Sequence, residues 1–138
     1  LYNKLDLDKC KRRLWMKDNQ KLPDAELEVM MVLWEANETV TSDYIMERLD
    51  NKTWVKPTLL NLLNRLVSRG FVSCEKNGKL NYYTALVKKE DYLQKESKNF
   101  LKKMHHNSIS SLLASLYGGK KLSKKDIDEL SKFIEEAK

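Results

Sequence analysis

The chain has 138 residues, of which 41% are hydrophobic and 33% charged, and its net charge is +6. This composition is typical of a folded, water-soluble chain with one modest domain, or with a small domain and an appendage. No run of about 18 apolar residues occurs, so direct membrane insertion is not expected. Cys10 and Cys74 lack metal-ligand spacing and are predicted to be free thiols in a reducing cytoplasm.

The first 15 residues show no regular period and precede Met16. They hold five basic and two acidic residues, so the net charge falls from +6 to +3 without them. Met16 is predicted to be the natural start, which makes residues 1–15 a non-native or disordered extension. The alternative is a basic arm that adds phosphate contacts. Charge alone therefore does not establish a nucleic-acid partner, and that prediction rests on motifs.

Residues 16–87 are predicted to form a winged helix-turn-helix domain. The first helix starts at Asp24, its predicted N-cap, and has one buried stripe at helical spacing, formed by Leu27, Met30, Met31 and Trp34. A short extended piece follows at residues 39–41. Thr41 or Ser42 then caps a second helix over residues 43–49.

The third helix and a hairpin after it are the most informative part of the chain. The helix begins near Pro57, and Gly70 ends it as a left-handed C-cap. Residues 71–75 and 80–86 are predicted strands, joined by a turn of residues 76–79 that contains an Asn-Gly pair. A helix followed directly by a hairpin is typical of a recognition helix and wing, which place a helix in the major groove and a loop on the adjacent backbone. The core stripe of the helix is predicted to be Leu59, Leu62, Leu63 and Leu66.

The polar face of the third helix and the wing tip are the predicted DNA contacts. Amides and hydroxyls can bond to base edges, and lysine and arginine suit phosphates, so Arg69 is also assigned to phosphate. An ordinary solvated face is the alternative for the helix alone, but the adjoining basic hairpin favours DNA binding. Leu60, on the flank, either contacts a thymine methyl or packs on the wing, and packing is the expectation. The contact residues are predicted to be Lys56, Pro57, Thr58, Asn61, Asn64, Arg65, Lys76 and Lys79.

Residues 88–138 are predicted to be a helical dimerisation domain. Three amphipathic helices follow one another, with a break at Gly118-Gly119 and a cap at Ser123. Such short helices cannot bury their apolar stripes in a core of their own, so a second chain is expected to cover them. The fold class is therefore mainly α with a small β-hairpin wing. The predicted interface residues are Leu112, Leu116, Ile127, Leu130 and Ile134.

No catalytic or metal-binding constellation is visible in the sequence. His105 and His106 are adjacent, so they point about 100° apart on a helix and cannot share a metal ion. No nucleophile–base pair, phosphate loop or carboxylate pair occurs. We therefore expect no enzyme activity, no metal and no cofactor.

From residue 22 to residue 138 the chain resembles the penicillinase-repressor family, the winged-helix repressors of β-lactamase and methicillin-resistance operons. The resemblance rests on residues 25–30 with Leu33-Trp34, on 54–66 with Gly70-Phe71, on 81–83 and on 97–100. It implies a cytoplasmic homodimer that binds a palindromic operator. It also implies a membrane zinc-protease sensor, which acts directly or through a protease that it activates. The implied cleavage is at the Asn99–Phe100 bond.

The chain departs from the family pattern at two positions of the third helix, and it lacks the cysteine motif of one branch of the family. The family often has Pro before Lys at the start of the third helix, where this chain has Lys56-Pro57, and a basic residue where it has Leu60. Copper-responsive relatives have a C-terminal cysteine motif, whereas this chain has no cysteine after Cys74. Two alternatives stay open: a winged-helix regulator of another operon with a different inducer, and a winged-helix module that binds only protein.

Overall fold

A computed structural model describes residues 21–49 and 53–138, so the prediction for residues 1–15 lies outside the described residues. The chain divides into two compact units, one ending at Glu96 and the other spanning Ser97–Lys138. The elements of the described chain, in order, are α1 (Asp24–Ala36), β1 (Val40–Thr41), α2 (Ser42–Arg48), α3 (Lys56–Ser68), β2 (Val72–Asn77), β3 (Leu80–Ala85), α4 (Lys89–His105), α5 (Ile109–Tyr117) and α6 (Lys124–Ala137).

The three strands form an antiparallel sheet in the order β1-β3-β2. The predicted extended piece is therefore a strand, and helices α1 to α3 with this sheet confirm the winged helix-turn-helix. The predicted four-residue turn is wrong, because Asn77 pairs with Leu80 and only Gly78 and Lys79 connect the strands. A φ of 67° at Gly78 permits so tight a turn, since glycine adopts positive φ without a steric cost.

The starts of the helices test the predicted caps. Asp24 is the first residue of α1 rather than its cap, because Pro23 takes the extended N-cap conformation and no side chain caps this helix. The carboxylate of Asp24 still suits the positive end of the helix dipole. The Thr41 prediction is confirmed: its Oγ1 accepts a hydrogen bond from the backbone N–H of Tyr44 at 3.3 Å. Ser123 caps α6 in the same way.

The core of the first unit is formed by α1, α2, α3 and the sheet. All four predicted core leucines of α3 are buried, and so are Phe71 and Tyr83. Leu60 is half-buried against this core. The alternation along β3 leaves Tyr82 half-buried and Tyr83 buried. Since Cys74 is an exposed free thiol on β2, that part of the cysteine prediction is confirmed.

Tyr92, in the first turn of α4, belongs to the core of the first unit. Its ring centroid lies 5.7 Å from that of Trp34 and 6.0 Å from that of Phe71. Its hydroxyl accepts a hydrogen bond from the backbone N–H of Leu22 at 3.0 Å. These contacts explain why the compact unit continues to Glu96, beyond the predicted domain boundary at residue 87.

The second unit contains the C-terminal part of α4, all of α5 and all of α6. None of residues 97–138 is buried. One specific contact joins α5 to α6: the Tyr117 hydroxyl donates a hydrogen bond to Asp126 Oδ2 at 2.6 Å. That bond raises the pKa of Tyr117 and lowers the pKa of Asp126, because it favours the protonated phenol and the ionised carboxylate.

Candidate nucleic-acid interface

The exposed face of α3 is the centre of the candidate interface. Because leucines at helical spacing bury the opposite side, the polar positions of α3 face solvent. Two amides and an arginine therefore point outward from a rigid helix, with no acidic residue on α3 itself. This arrangement can donate to base-edge acceptors and phosphates from one surface. The predicted contact residues of α3 are all exposed: Lys56, Pro57, Thr58, Asn61, Asn64 and Arg65.

The first turn of α3 is linked to α2 by an ion pair that sequence reasoning missed. Lys56 Nζ lies 3.1 Å from Asp43 Oδ1, and both side chains are largely exposed. An exposed pair of this kind contributes little to stability, so it leaves Lys56 able to exchange the carboxylate for a phosphate. Pro57 has no backbone N–H, and only apolar contact is open to its ring.

Arg48 is a second basic residue of this region that sequence reasoning did not select. Its guanidinium carbon lies 3.4 Å from the ring centroid of Tyr44, within the same helix α2. Its Nη1 also donates to the Tyr44 carbonyl at 3.3 Å. A guanidinium stacked on a ring in this way is oriented while it stays charged. The i, i+4 spacing of tyrosine and arginine was the available signal.

Arg69, which the sequence assigned to phosphate, pairs with a carboxylate within the protein, and its contact with DNA stays a prediction. Its Nη1 binds Glu26 Oε2 at 2.5 Å, and Glu26 is only 1% exposed. A carboxylate buried on α1 requires a cationic partner, because an unpaired buried charge costs several kcal/mol. Arg69 therefore joins the end of α3 to α1 and holds the recognition helix on the core.

The wing provides the second basic surface. Lys76 lies on β2 and Lys79 in the two-residue turn, and both are exposed. The sheet supports them from below, since Tyr83 on β3 is buried and pairs with Cys74 on β2. Burial raises the pKa of Tyr83, which keeps its hydroxyl neutral. A hydrogen bond of 2.7 Å between the hydroxyls of Thr39 and Thr84 joins the residue before β1 to β3.

The predicted dimer residues form an uncovered apolar surface on α5 and α6. Leu116 is 68% exposed, and Ile127 and Ile134 are also exposed, while Leu112 and Leu130 are half-buried. Phe133, 67% exposed, extends the same side of α6 and was missed. The signal available was its position three residues after Leu130, one helical turn along that stripe.

The implied cleavage site lies within α4, at the start of the second unit. Asn99 is half-buried and Phe100 is exposed, and the Phe100 ring centroid is 5.6 Å from that of His105. The bond between them lies in a regular helix rather than in a loop. Cleavage of this bond stays a prediction.

Two properties of the described residues concern metal binding and membrane insertion. Among residues 21–49 and 53–138, no group of three or more His, Cys, Asp or Glu could hold a metal ion. Over the same residues, no helix is long and apolar enough to cross a bilayer.

A helix-turn-helix with an exposed polar third helix and a basic hairpin defines the class of winged-helix proteins. Within that class, residues 22–136 match the penicillinase repressor family model. The chain therefore belongs to this family of transcriptional repressors, and the resemblance inferred from the motifs is confirmed.

Individual proteins similar to this chain include two repressors and one solved structure. The chain is 32% identical to the penicillinase repressor of Bacillus licheniformis over 89% of this chain and 96% of that protein. It is 31% identical to the methicillin resistance regulatory protein MecI of Staphylococcus aureus, over 83% of this chain and 93% of MecI. The match to a solution structure of the Bacillus licheniformis BlaI monomer in complex with the blaP half-operator covers 53% of this chain and 89% of the chain in that structure, with 31% identity and a TM-score of 0.45.

Proposed function

We propose that this protein is a dimeric cytoplasmic repressor, not an enzyme, that binds a palindromic operator of a β-lactam-resistance operon. The observation that supports the proposal best is the exposed amide and basic face of α3, followed directly by the basic wing, in a penicillinase repressor family chain. The names of two relatives, a penicillinase repressor and a methicillin resistance regulatory protein, support the proposal of a β-lactam-resistance operon.

In the proposed mechanism, α3 lies in the major groove and the wing lies on the flanking backbone. Asn61 and Asn64 bond to base edges, since an amide can donate and accept together at adenine. Arg65, Lys76 and Lys79 bind phosphates and set the register on the duplex. The Arg69–Glu26 pair fixes the angle at which α3 leaves the core.

The dimer is the second part of the proposal. With no buried residue between 97 and 138, the second unit requires an apolar partner surface, and a second copy offers the same stripe. Two linked winged helices then read two half-sites. Cleavage at Asn99–Phe100, by a membrane zinc-protease sensor or by a protease that it activates, would release the operator.

The first test measures DNA binding by gel-shift titration. The probe is a palindromic duplex selected by the wild-type protein from random-sequence DNA, compared with an unrelated duplex of the same length. Asn61→Ala should weaken binding to the selected duplex by about 1–3 kcal/mol and relax specificity. Lys79→Ala should weaken both duplexes similarly and reduce the salt slope by about 0.9.

The matched control is Lys132→Ala, an exposed lysine of the second unit, which should leave the preference for the selected duplex unchanged. Two outcomes would show that α3 and the wing do not bind an operator. One is a selection that enriches no palindrome, and the other is equal binding by wild type and both variants. A protein-only winged-helix module predicts no salt-sensitive duplex binding. A regulator of another operon predicts normal binding to a palindrome that does not adjoin a resistance gene.

A further inference from the structure

Residues 21–96, which contain the winged helix, have no excess of positive charge. Residues 21–96 contain 11 basic and 12 acidic residues, a net charge of −1. The second unit contains nine lysines against five acidic residues, a net charge of +4. From residue 21 to the end, the excess positive charge of a protein that binds a polyanion through α3 and the wing therefore lies in the second unit.

That charge is concentrated at the start of α6. Four of six consecutive residues are lysines: Lys120, Lys121, Lys124 and Lys125, which we call the α6 lysine cluster. All four are exposed. None of them makes an ion pair with any of the described residues. The side chains are therefore open to an anionic partner.

The backbone gives the cluster a defined shape. Gly118 and Gly119 both have positive φ, at 53° and 83°, and the Lys120 N–H donates to the Tyr117 carbonyl at 2.8 Å. The chain thus reverses immediately before the cluster. Asp126, the acidic residue nearest in sequence, is already engaged, because its carboxylate accepts from the Tyr117 hydroxyl and its backbone N–H donates to Ser123 Oγ. The positive end of the α6 dipole adds to the same potential.

We infer that the α6 lysine cluster is a second DNA-binding surface, which binds duplex phosphates without sequence preference. The inference rests on the proposed operator binding, because the first unit keeps the tethered cluster at a high local concentration of phosphate. Lysine is a compact point charge with no planar fork, so it suits backbone phosphates rather than base edges. The α6 lysine cluster increases the affinity for any duplex, while α3 determines the sequence specificity.

The test compares two full-length variants with the same change in charge. In the cluster variant, Lys120→Gln, Lys121→Gln, Lys124→Gln and Lys125→Gln are combined. In the control variant, four exposed lysines elsewhere in the second unit are replaced together: Lys98→Gln, Lys102→Gln, Lys103→Gln and Lys132→Gln. Affinity is measured against salt concentration for a selected operator with extended flanks and for an unrelated duplex of equal length.

The cluster variant should lower the slope of log affinity against log salt by about 0.9 for each lost phosphate contact. The loss should be equal on both duplexes, leaving the specificity ratio unchanged, and larger than in the control variant. Equal slopes for the two variants would overturn the inference, because net charge alone would then explain the change. Failure of the proposed function is distinct, since wild type would then show no preference for the operator.

Sedimentation of both variants distinguishes DNA binding by the α6 lysine cluster from binding of the cluster to a second copy of the chain. If the cluster binds acidic residues of a second copy, the cluster variant loses its dimer while the control keeps it, and the inference is wrong. If the cluster binds DNA, both variants sediment like wild type and only the salt slope changes.

Discussion

At the scale of single residues, the Glu26–Arg69 pair determines how α3 is held. Glu26 Oε2 accepts from Arg69, while its Oε1 is buried and has no hydrogen-bond partner among the described residues. A carboxylate in that position is stable only because the guanidinium is beside it. The pair joins residues 43 positions apart, so no local pattern could predict it. Sequence reasoning instead assigned Arg69 to phosphate, because arginine suits that group.

Arg69→Ala should therefore destabilise the fold, and Arg65→Ala should not. Arg69→Ala should lower the free energy of unfolding by about 3 kcal/mol. This value is at the low end for a broken buried ion pair, because the arginine is partly exposed. Arg65 is exposed on the same helix, so its loss should stay within about 0.5 kcal/mol while DNA affinity falls. Urea denaturation followed by circular dichroism measures both. Equal stabilities for the two variants would contradict the role given to the ion pair.

At the scale of elements, the sequence predicted helices and the wing well because periodicity and turn chemistry are local. The leucine stripe of α3, the Thr41 cap and the glycine turn each depend on neighbours within a few residues. The extent of the first unit was not predictable in this way. It depends on Tyr92, whose position on α4 looks like part of the C-terminal helices until its contacts with Trp34 and Phe71 are known.

Tyr92→Phe should test how α4 is attached to the first unit. The variant keeps the ring but leaves the Leu22 N–H without its acceptor, which should cost about 1–2 kcal/mol in the free energy of unfolding at neutral pH. Burial raises the pKa of Tyr92 above its ordinary value, so the folded state favours the protonated phenol. That contribution is fully present below about pH 10 and is lost as pH rises through the folded-state pKa.

The measurement is urea denaturation at neutral and at strongly alkaline pH. Wild type should lose more stability than Tyr92→Phe between the two, because only wild type has this phenol to ionise. Tyr82→Phe, on the half-exposed face of β3, is the matched control and should follow wild type. A Tyr92→Phe variant with the same alkaline loss as wild type would show that ionisation of Tyr92 is not coupled to unfolding.

At the scale of the whole molecule, the second unit has helices without a core. Its apolar side chains reach solvent in a single chain, and the sequence indicated this through three short amphipathic stripes. The predicted interface was narrower than the exposed apolar surface, because Phe133 and Met104 were not among the predicted interface residues. Both are exposed, at 67% and 65%. A surface this apolar is expected to be covered by the second copy.

Leu116→Asp should convert the dimer to a monomer, since a buried, unpaired carboxylate is costly in an apolar interface. Ser115→Asp adds the same charge at the adjacent exposed position and should leave the dimer intact. Sedimentation velocity at micromolar concentration distinguishes the two. A wild-type protein that sediments as a monomer would end the proposal of a dimer held by these stripes.

Cleavage at Asn99–Phe100 would act on the same dimer from within α4. The bond lies just beyond the end of the first unit at Glu96, so a cut separates both winged helices from residues 100–138. Each half-site would then be bound independently, and the loss of tethering should lower operator affinity by about 10²-fold or more with α3 unchanged. The alternative is that Phe100 serves only as an apolar side chain of the stripe, where it lies with Leu93 and Met104, all three exposed.

Mass spectrometry of the repressor from β-lactam-treated cells separates these two roles. We expect fragments that end at Asn99 and begin at Phe100 in wild type, and intact, persistently repressing protein when Phe100→Ala blocks the cut. Met104→Ala removes another exposed apolar side chain of the same helix and should still be cleaved, so it controls for a general effect on the dimer. Intact wild-type protein in cells where derepression proceeds normally would mean that a signal other than this cleavage releases the operator.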